Sequence, residues 1–239
     1  MNTLVNFIAS LLKRLPIRLQ NCLYEITLKK IPMWVLKRIP CSYSTYLKCY
    51  TPKKGDLILD CGAHVGNCAI LFSRLVGKEG RVICIEPFKE SCCELRDRLQ
   101  RLKIDNVLVI NKGIWSTALN QALIVSDNTI SCKLDSDENK INDSQTHVEI
   151  ECTTVDDLIR DLRLPQLDLI KMDIEGSEIE ALQGAVNTLT TLKPHLAIAS
   201  YHYRGRNQTF HAVEEFLIKK NYDVTTFFPP HLTTCARPE

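Results

Sequence analysis

From Asp56 onward, short runs of aliphatic and β-branched residues alternate with longer segments whose apolar positions recur every three or four residues. The runs Leu57–Asp60, Arg81–Glu86 and Val107–Asn111 predict strands, and Asn67–Val76 and Lys89–Leu102 predict the helices between them. Strands separated by helices of this length predict a parallel sheet covered on both faces. The rhythm breaks after Trp115. Gln121–Val125 and His147–Cys152 each alternate apolar and polar residues around a segment, Asp135–Gln145, rich in Asp, Asn, Ser and Lys. That pattern predicts a β-hairpin insertion over about residues 116–152 with a mobile tip. Winding resumes with helix Val155–Leu162, strand Leu167–Asp173, helix Glu178–Leu192, strand Leu196–Tyr201, helix Phe210–Lys220 and strand Asp223–Phe228. Ahead of this body, Leu4, Phe7, Ile8, Leu11, Leu12 and Leu15 form one apolar stripe, which predicts a helix ended by Pro16. The fold class expected is α/β, a doubly wound, mostly parallel sheet, with residues 1–55 as a helical N-terminal arm and 56–239 as the body.

At 239 residues the chain suffices for one such domain. Its 45% hydrophobic and 24% charged residues exclude disordered, collagen-like and coiled-coil classes. The net charge of +2 hides an asymmetry: residues 1–55 hold ten basic side chains against Glu25 alone, a net +9, which leaves −7 on the remainder. A basic amphipathic arm can cap a substrate cleft, contact a second copy in a homodimer, or lie through residues 1–40 on an anionic membrane. Its basic residues are not interleaved with aromatic repeats, which argues against nucleic acid as a partner.

Eleven cysteines form an odd count with no Cys-x-x-Cys, and Cys61, Cys68 and Cys84 fall in apolar runs. They read as reduced core thiols and give the cytoplasm as the expected location. Met1–Pro16 fits a secretory signal poorly, since its basic pair follows the apolar stretch. No window reaches eighteen uninterrupted apolar residues, so no transmembrane helix is expected.

In a doubly wound sheet, ligands bind beyond the carboxyl ends of the strands, near the point where strand order reverses. The first predicted strand ends in Asp60-Cys61-Gly62-Ala63-His64-Val65-Gly66, the second in Glu86-Pro87, the third in Asn111-Lys112-Gly113. The first turn is Asp-x-Gly-x-x-x-Gly and lacks the full Gly-x-Gly-x-x-Gly of dinucleotide folds. Gly62 permits a tight turn and close backbone approach, and the helix that follows favours an anionic group at its amino end. A glycine pair after a strand is equally a simple turn. Glu86 tips the balance, standing 24 residues after Gly62, near the offset of an acid that accepts both ribose hydroxyls and repels a 2′-phosphate. Asp60 either caps the helix or acts near a ligand ammonium or on the turn itself.

The second constellation is Lys171-Met172-Asp173-Ile174-Glu175-Gly176-Ser177-Glu178. Alternation puts Lys171 and Asp173 on one face of a strand, with Asp173 at the carboxyl edge. Asp173 and Glu175 can raise one another's pKa for general-base work or share a divalent cation, although Glu175 and Glu178 also suit the first turn of a helix. Tyr201-His202-Tyr203 end the next strand at the same edge, where His202 can take a proton, bind metal with Asp173, or be structural. The other histidines and Cys235 show no zinc-ligand spacing, and no metal site is assigned.

Together these residues resemble the FkbM-type S-adenosylmethionine-dependent methyltransferases, over roughly Asp56 to Phe228. Leu59 to Asn67 is similar to that family's cofactor loop and Ile85-Glu86-Pro87 to its ribose-binding strand end. Thr154-Val155-Asp156-Asp157-Leu158 and Ile170 to Gly176 are similar to its later signatures. The resemblance implies a Rossmann-like class I methyltransferase domain that binds S-adenosylmethionine and releases S-adenosylhomocysteine. Asp60, Gly62, Ala63, Gly66 and Asn67 would surround the methionine end, Glu86 and Pro87 the ribose, and Lys112 and Gly113 the adenine. It further implies O-methylation of a hydroxyl on a small molecule, sugar or glycan acceptor, in keeping with the lack of an Asp/Asn-Pro-Pro-Tyr motif at the fourth strand end. The catalytic residues expected are Asp173, Glu175 and His202. The fifth strand departs from the pattern: Ala199-Ser200-Tyr201-His202 has no glutamate before its histidine. Two other classes share the fold, a nucleotide-linked oxidoreductase, which would normally show the full dinucleotide fingerprint, and a non-catalytic binding protein, which would have lost cleft residues.

Overall fold

A computed structural model describes residues 45–118, 120–125, 132–134, 146–228 and 232–239. The stripe at Leu4–Leu15, most of the basic arm and the segment Asp135–Gln145 lie outside the described residues.

A short helix α1 (Tyr46–Cys49) leads into β1 (Leu57–Cys61), α2 (Asn67–Val76), β2 (Arg81–Ile85), α3 (Lys89–Leu102) and β3 (Val107–Ile110). The second half adds α4 (Val155–Asp161), β8 (Leu169–Met172), α5 (Glu178–Gln183), α6 (Val186–Thr191), β9 (His195–Ala199), α7 (Phe210–Ile218), β12 (Tyr222–Phe227) and β13 (Thr233–Pro238). Between the halves lie β4 (Gly113–Ile114), β5 (Asn120–Val125), β6 (Cys132–Leu134) and β7 (Thr146–Thr153), and a small hairpin β10 (Tyr203–Arg204) and β11 (Asn207–Gln208) precedes α7. The main sheet has the order β12-β13-β9-β8-β1-β2-β3. The five strands from β9 to the edge strand β3 are parallel, with Met172, Cys61, Ile85 and Ile110 in register across the carboxyl edge. Strand order reverses between β1 and β8.

Alternation along each strand divides the core into two layers. Leu59, Ile83, Ile170 and Ile198 pack on one face with Leu158 of α4, Leu182 of α5 and Leu217 of α7. Ile58, Cys84, Leu169 and Ala197 pack on the other with Phe72 of α2, Leu95 of α3 and Tyr46 of α1. Strands apolar on both faces are what a sheet covered on both sides requires.

The expected helix Glu178–Leu192 is two helices. A Cβ at Gly184 would stand 2.3 Å from the carbonyl oxygen of Trp115, so the chain there presses against a neighbouring loop. Asp156 of α4 then supplies a new helix start, its carboxylate accepting from the amides of Asn187 and Thr188 at 2.9 and 2.7 Å. One strand at the end of the pattern was not foreseen. β13 inserts antiparallel between β12 and β9, and has little apolar signal because Ala236 is its lone aliphatic residue. In the insertion, β5 and β7 pair antiparallel as expected, but β6 adds to the outer side of β5 and β4 pairs parallel with β7, giving four strands rather than two.

The reading of all cysteines as reduced thiols is corrected at one pair: Cys49 and Cys235 form a disulfide. Packing of α1 against β13 and β9 brings together residues 186 apart in sequence, which spacing could not reveal. Cys61, Cys68 and Cys84 are buried free thiols, as their apolar runs predict, and so are Cys92 and Cys152. Among the described residues, no helix is long and apolar enough to cross a membrane.

Candidate active site

The turn after β1 is built from backbone. Gly62, His64 and Gly66 all have positive φ, at 74°, 48° and 86°. A Cβ on Gly62 would lie 2.0 Å from the carbonyl oxygen of Asp173, and one on Gly66 would lie 2.0 Å from Cδ1 of Leu95. Both positions therefore need glycine for space as well as for backbone conformation. The amides of Gly62 and Ala63 donate to the carbonyl of Ile85 at 2.9 and 3.2 Å, which seats the turn on the end of β2.

Glu86, buried at the end of β2, accepts from the amide of His64 at 2.8 Å and from that of Phe88 at 2.9 Å. Burial raises its pKa, and those two N–H groups oppose the rise. Asn111 donates to the carbonyls of Glu86 and Pro87 at 3.0 and 2.8 Å, so the ends of β2 and β3 are tied together. Lys112 is paired with Glu151 of β7 at 2.5 Å, which joins the insertion to this edge.

Asp60 is fully buried and faces its register partner Lys171, with Nζ 2.9 Å from Oδ1. Burial opposes the lysine's charge, but Asp60 outweighs it and holds the Lys171 pKa above its ordinary value. Lys171 also donates to the carbonyl of Gly62 at 2.9 Å, so this pair acts on the turn from beneath. Asn67 accepts from Arg98 at 3.0 Å, and Arg98 donates to the carbonyl of Val65 at 2.5 Å. Arg98 was missed, though a signal existed: it interrupts the apolar face Leu95, Leu99, Leu102 of α3 at helical spacing and is 1% exposed. A buried arginine must find acceptors, and carbonyls of an open turn provide them.

Across the switch point the site is made of side chains. Asp173 follows β8, and its Oδ2 accepts from the Tyr46 hydroxyl at 2.9 Å, its Oδ1 from the Tyr201 hydroxyl at 3.3 Å. Burial, then the charge of Asp173, raises the pKa of both tyrosines, so both remain donors. His202 is buried, with Nε2 3.6 Å from Asp173 Oδ1 and 3.5 Å from Glu175 Oε2, and Nδ1 2.9 Å from Glu178 Oε1. Burial lowers its pKa, but the contact with Glu178 and the neighbouring carboxylates reverse this and raise it. Glu175 sits at φ 56° and Gly176 at φ 101°, so a left-handed turn folds the acid back over the strand end.

The structure thus brings Asp173, Glu175 and His202 together, and sets them against the Gly62 turn. Tyr46 also belongs to the cluster and had no sequence signal, since it stands 127 residues from Asp173. Glu178, read as one of the acids suited to a helix start, does open α5 and is also fully buried against His202.

The arrangement is similar to known proteins. The family model described as "Methyltransferase FkbM domain" matches residues 60–224. A methyltransferase FkbM structure from Methylobacillus flagellatus KT shares 19% identity at a TM-score of 0.56, covering 91% of this chain and 59% of that one. The chain therefore spans about three fifths of that relative's length. A precorrin-6y C5,15-methyltransferase from Geobacter metallireducens GS-15 shares 15% identity at 0.53, covering 82% of this chain and 87% of the other. Fibrillarin from Aeropyrum pernix, crystallised with S-adenosyl-L-methionine, shares 13% at 0.51, covering 81% and 76%. Comparison with curated proteins finds no match. The similarities of structure establish a Rossmann-like class I methyltransferase fold, and the family match, over most of the chain and every site residue but Tyr46, identifies the chain as a member of the FkbM methyltransferase family.

Proposed function

We propose that this protein is an S-adenosylmethionine-dependent O-methyltransferase acting on a hydroxyl of a small molecule, sugar or glycoconjugate. The observation that supports it most directly is the contact between the two halves of the edge: Gly62 has no room for a Cβ because the Asp173 carbonyl lies against it. A donor seated on the turn would therefore meet an acceptor held at the carboxylates.

The residues fit the cofactor. Each Glu86 oxygen accepts one backbone N–H, and a carboxylate has about four acceptor sites, so an acceptor remains for each of two vicinal ribose hydroxyls. On this reading Gly62, Ala63, Gly66 and Asn67 would border the methionine end, Pro87 would lie with Glu86 at the ribose, and Lys112 and Gly113 would lie at the adenine. When bound, the sulfonium supplies an electrophilic methyl group. With it in place, an acceptor oxygen would displace the thioether in line, the C–S bond breaking as the O–C bond forms, and Asp173 would take the hydroxyl proton. Tyr46 and Tyr201 hold that carboxylate in place, and His202 and Glu175 orient the hydroxyl from the other side.

Titration calorimetry of the full chain with S-adenosylmethionine and S-adenosylhomocysteine tests the cofactor, with Glu86→Ala as control. Loss of the ribose acceptor is expected to weaken binding by about 100-fold, the size of charge-assisted hydrogen bonds. Absence of binding to the folded wild type would overturn the assignment. Mass-shift assays against hydroxylated acceptors then test oxygen as the target.

A further inference from the structure

We propose that Asp173, Glu175 and His202 bind one divalent transition-metal ion of the Zn²⁺ or Mn²⁺ class, with Glu178 orienting the histidine. Among the described residues these three form a group of potential donors whose ligand atoms all lie within 4.8 Å of one another. The spacing within the group is informative. Separations of 3.5 and 3.6 Å from Nε2 to the two carboxylate oxygens are too long for good hydrogen bonds. They match the edge between two ligands of a tetrahedral ion, about 3.4 Å for metal–ligand bonds of about 2.1 Å.

The histidine supplies the second observation. Its side chain is 5% exposed, and neither ring nitrogen makes a hydrogen bond of good geometry although carboxylates face both. Two carboxylates converging on a buried ring nitrogen are costly unless something positive, a proton or a metal ion, lies between them. On its other side, Nδ1 is 2.9 Å from Glu178, which is fully buried and also accepts from the Gly176 amide at 3.1 Å. A carboxylate on Nδ1 fixes the proton there and turns Nε2 toward the acids, the arrangement by which metal-binding histidines are aimed. Asp173 is held similarly, with the Tyr46 hydroxyl on Oδ2 and the Tyr201 hydroxyl 3.3 Å from Oδ1, the oxygen turned toward His202.

Charge points the same way. Among the described residues, the carboxylates of Asp173, Glu175 and Glu178 converge on the imidazole of His202. An imidazole with two carboxylates favours a borderline ion over Mg²⁺ or Ca²⁺, which prefer all-oxygen sites. Three protein donors leave a position open for an acceptor hydroxyl, whose proton such an ion makes easier to remove. That role deepens the methyltransferase reading and rests on it; the binding of the ion does not.

The test is titration of the chelator-treated full chain with Mn²⁺ and, separately, Zn²⁺, followed by calorimetry and by the electron paramagnetic resonance signal of free Mn²⁺. S-adenosylmethionine is titrated into the same preparations. Saturable binding of a single ion is expected, abolished in the Asp173→Asn/Glu175→Gln double variant. Glu178→Gln is expected to weaken it by about 10- to 100-fold, as loss of an orienting partner does. No saturable binding of either ion to folded wild-type protein, or equal binding by wild type and double variant, would overturn the site. A protonated His202 neutralising the acids alone gives the first of these results. S-adenosylmethionine binding in that same sample would leave the methyltransferase reading standing, whereas metal binding without it would sustain the ion site and count against that reading.

Discussion

The β1–β2 side of the carboxyl edge is made of backbone, whereas the β8–β9 side is made of side chains. On the first, the turn from Gly62 to Gly66 is seated by its own amides on Ile85 and Glu86, and Glu86 is held by two N–H groups. On the second, Asp173, Glu175, Glu178 and His202 hold one another, with hydroxyls from Tyr46 and Tyr201. The difference suits two tasks. A common cofactor can be bound by groups fixed in a short stretch of chain, while an acceptor must be met by reactive side chains whose surroundings can vary between relatives.

Gly62 touches both sides, so Gly62→Ala should break the distinction outright. Backbone strain at positive φ together with a Cβ 2.0 Å from the Asp173 carbonyl should cost about 3 kcal/mol or more. Chemical denaturation should show that loss, and calorimetry the loss of cofactor binding with it. Asp173→Asn sharpens the comparison: turnover should fall by about 100-fold or more, the scale of a lost general base, with cofactor affinity unchanged. Equal losses in both would mean that the two sides act as one unit.

Acidity provides a gentler probe of the first side alone. Because burial raises the Glu86 pKa, cofactor affinity should start to fall at a higher pH than an ordinary glutamate would give. Stability should move the other way. A carboxyl whose folded pKa is raised binds its proton more tightly when folded, so its contribution is present at low pH and lost as pH rises through that value. Calorimetry and denaturation across a pH series, compared with a flatter Glu86→Gln variant, measure both slopes. The smallest effect expected is that of Tyr46→Phe, which removes one hydrogen bond to Asp173, about 1 kcal/mol. Its turnover should drop several-fold with cofactor binding intact, a split visible in steady-state kinetics.

The same contrast explains what could be read in advance. Gly62, Gly66 and Glu86 were legible because a tight turn after a strand and an acid at the next strand end are local demands on residue type. Asp173, Glu175 and His202 were legible as candidates because alternation put them at one edge, but their mutual distances were not. Tyr46 was hidden by the 127 residues that separate it from Asp173, and Arg98 was overlooked though it lies on the apolar face of a helix. The disulfide between Cys49 and Cys235 and the insertion of β13 escaped for the same reason as Tyr46: each depends on which distant segments pack together.

Hydrophobic periodicity by itself determined the alternation of strand and helix and, through the parallel winding this imposes, the edge at which ligands gather. It could not set where a helix breaks, because Gly184 yields to the carbonyl of Trp115 and the new start is capped by Asp156, contacts that exist only once the layers pack. Nor could it set the roles of the acids. Glu178 is a helix-start residue in sequence and the partner of His202 in space. A periodic pattern records which face of an element meets the core. Which charged groups share a buried volume, and so must neutralise, orient or jointly bind something, is decided by tertiary packing, where distances of a few ångströms control the electrostatics.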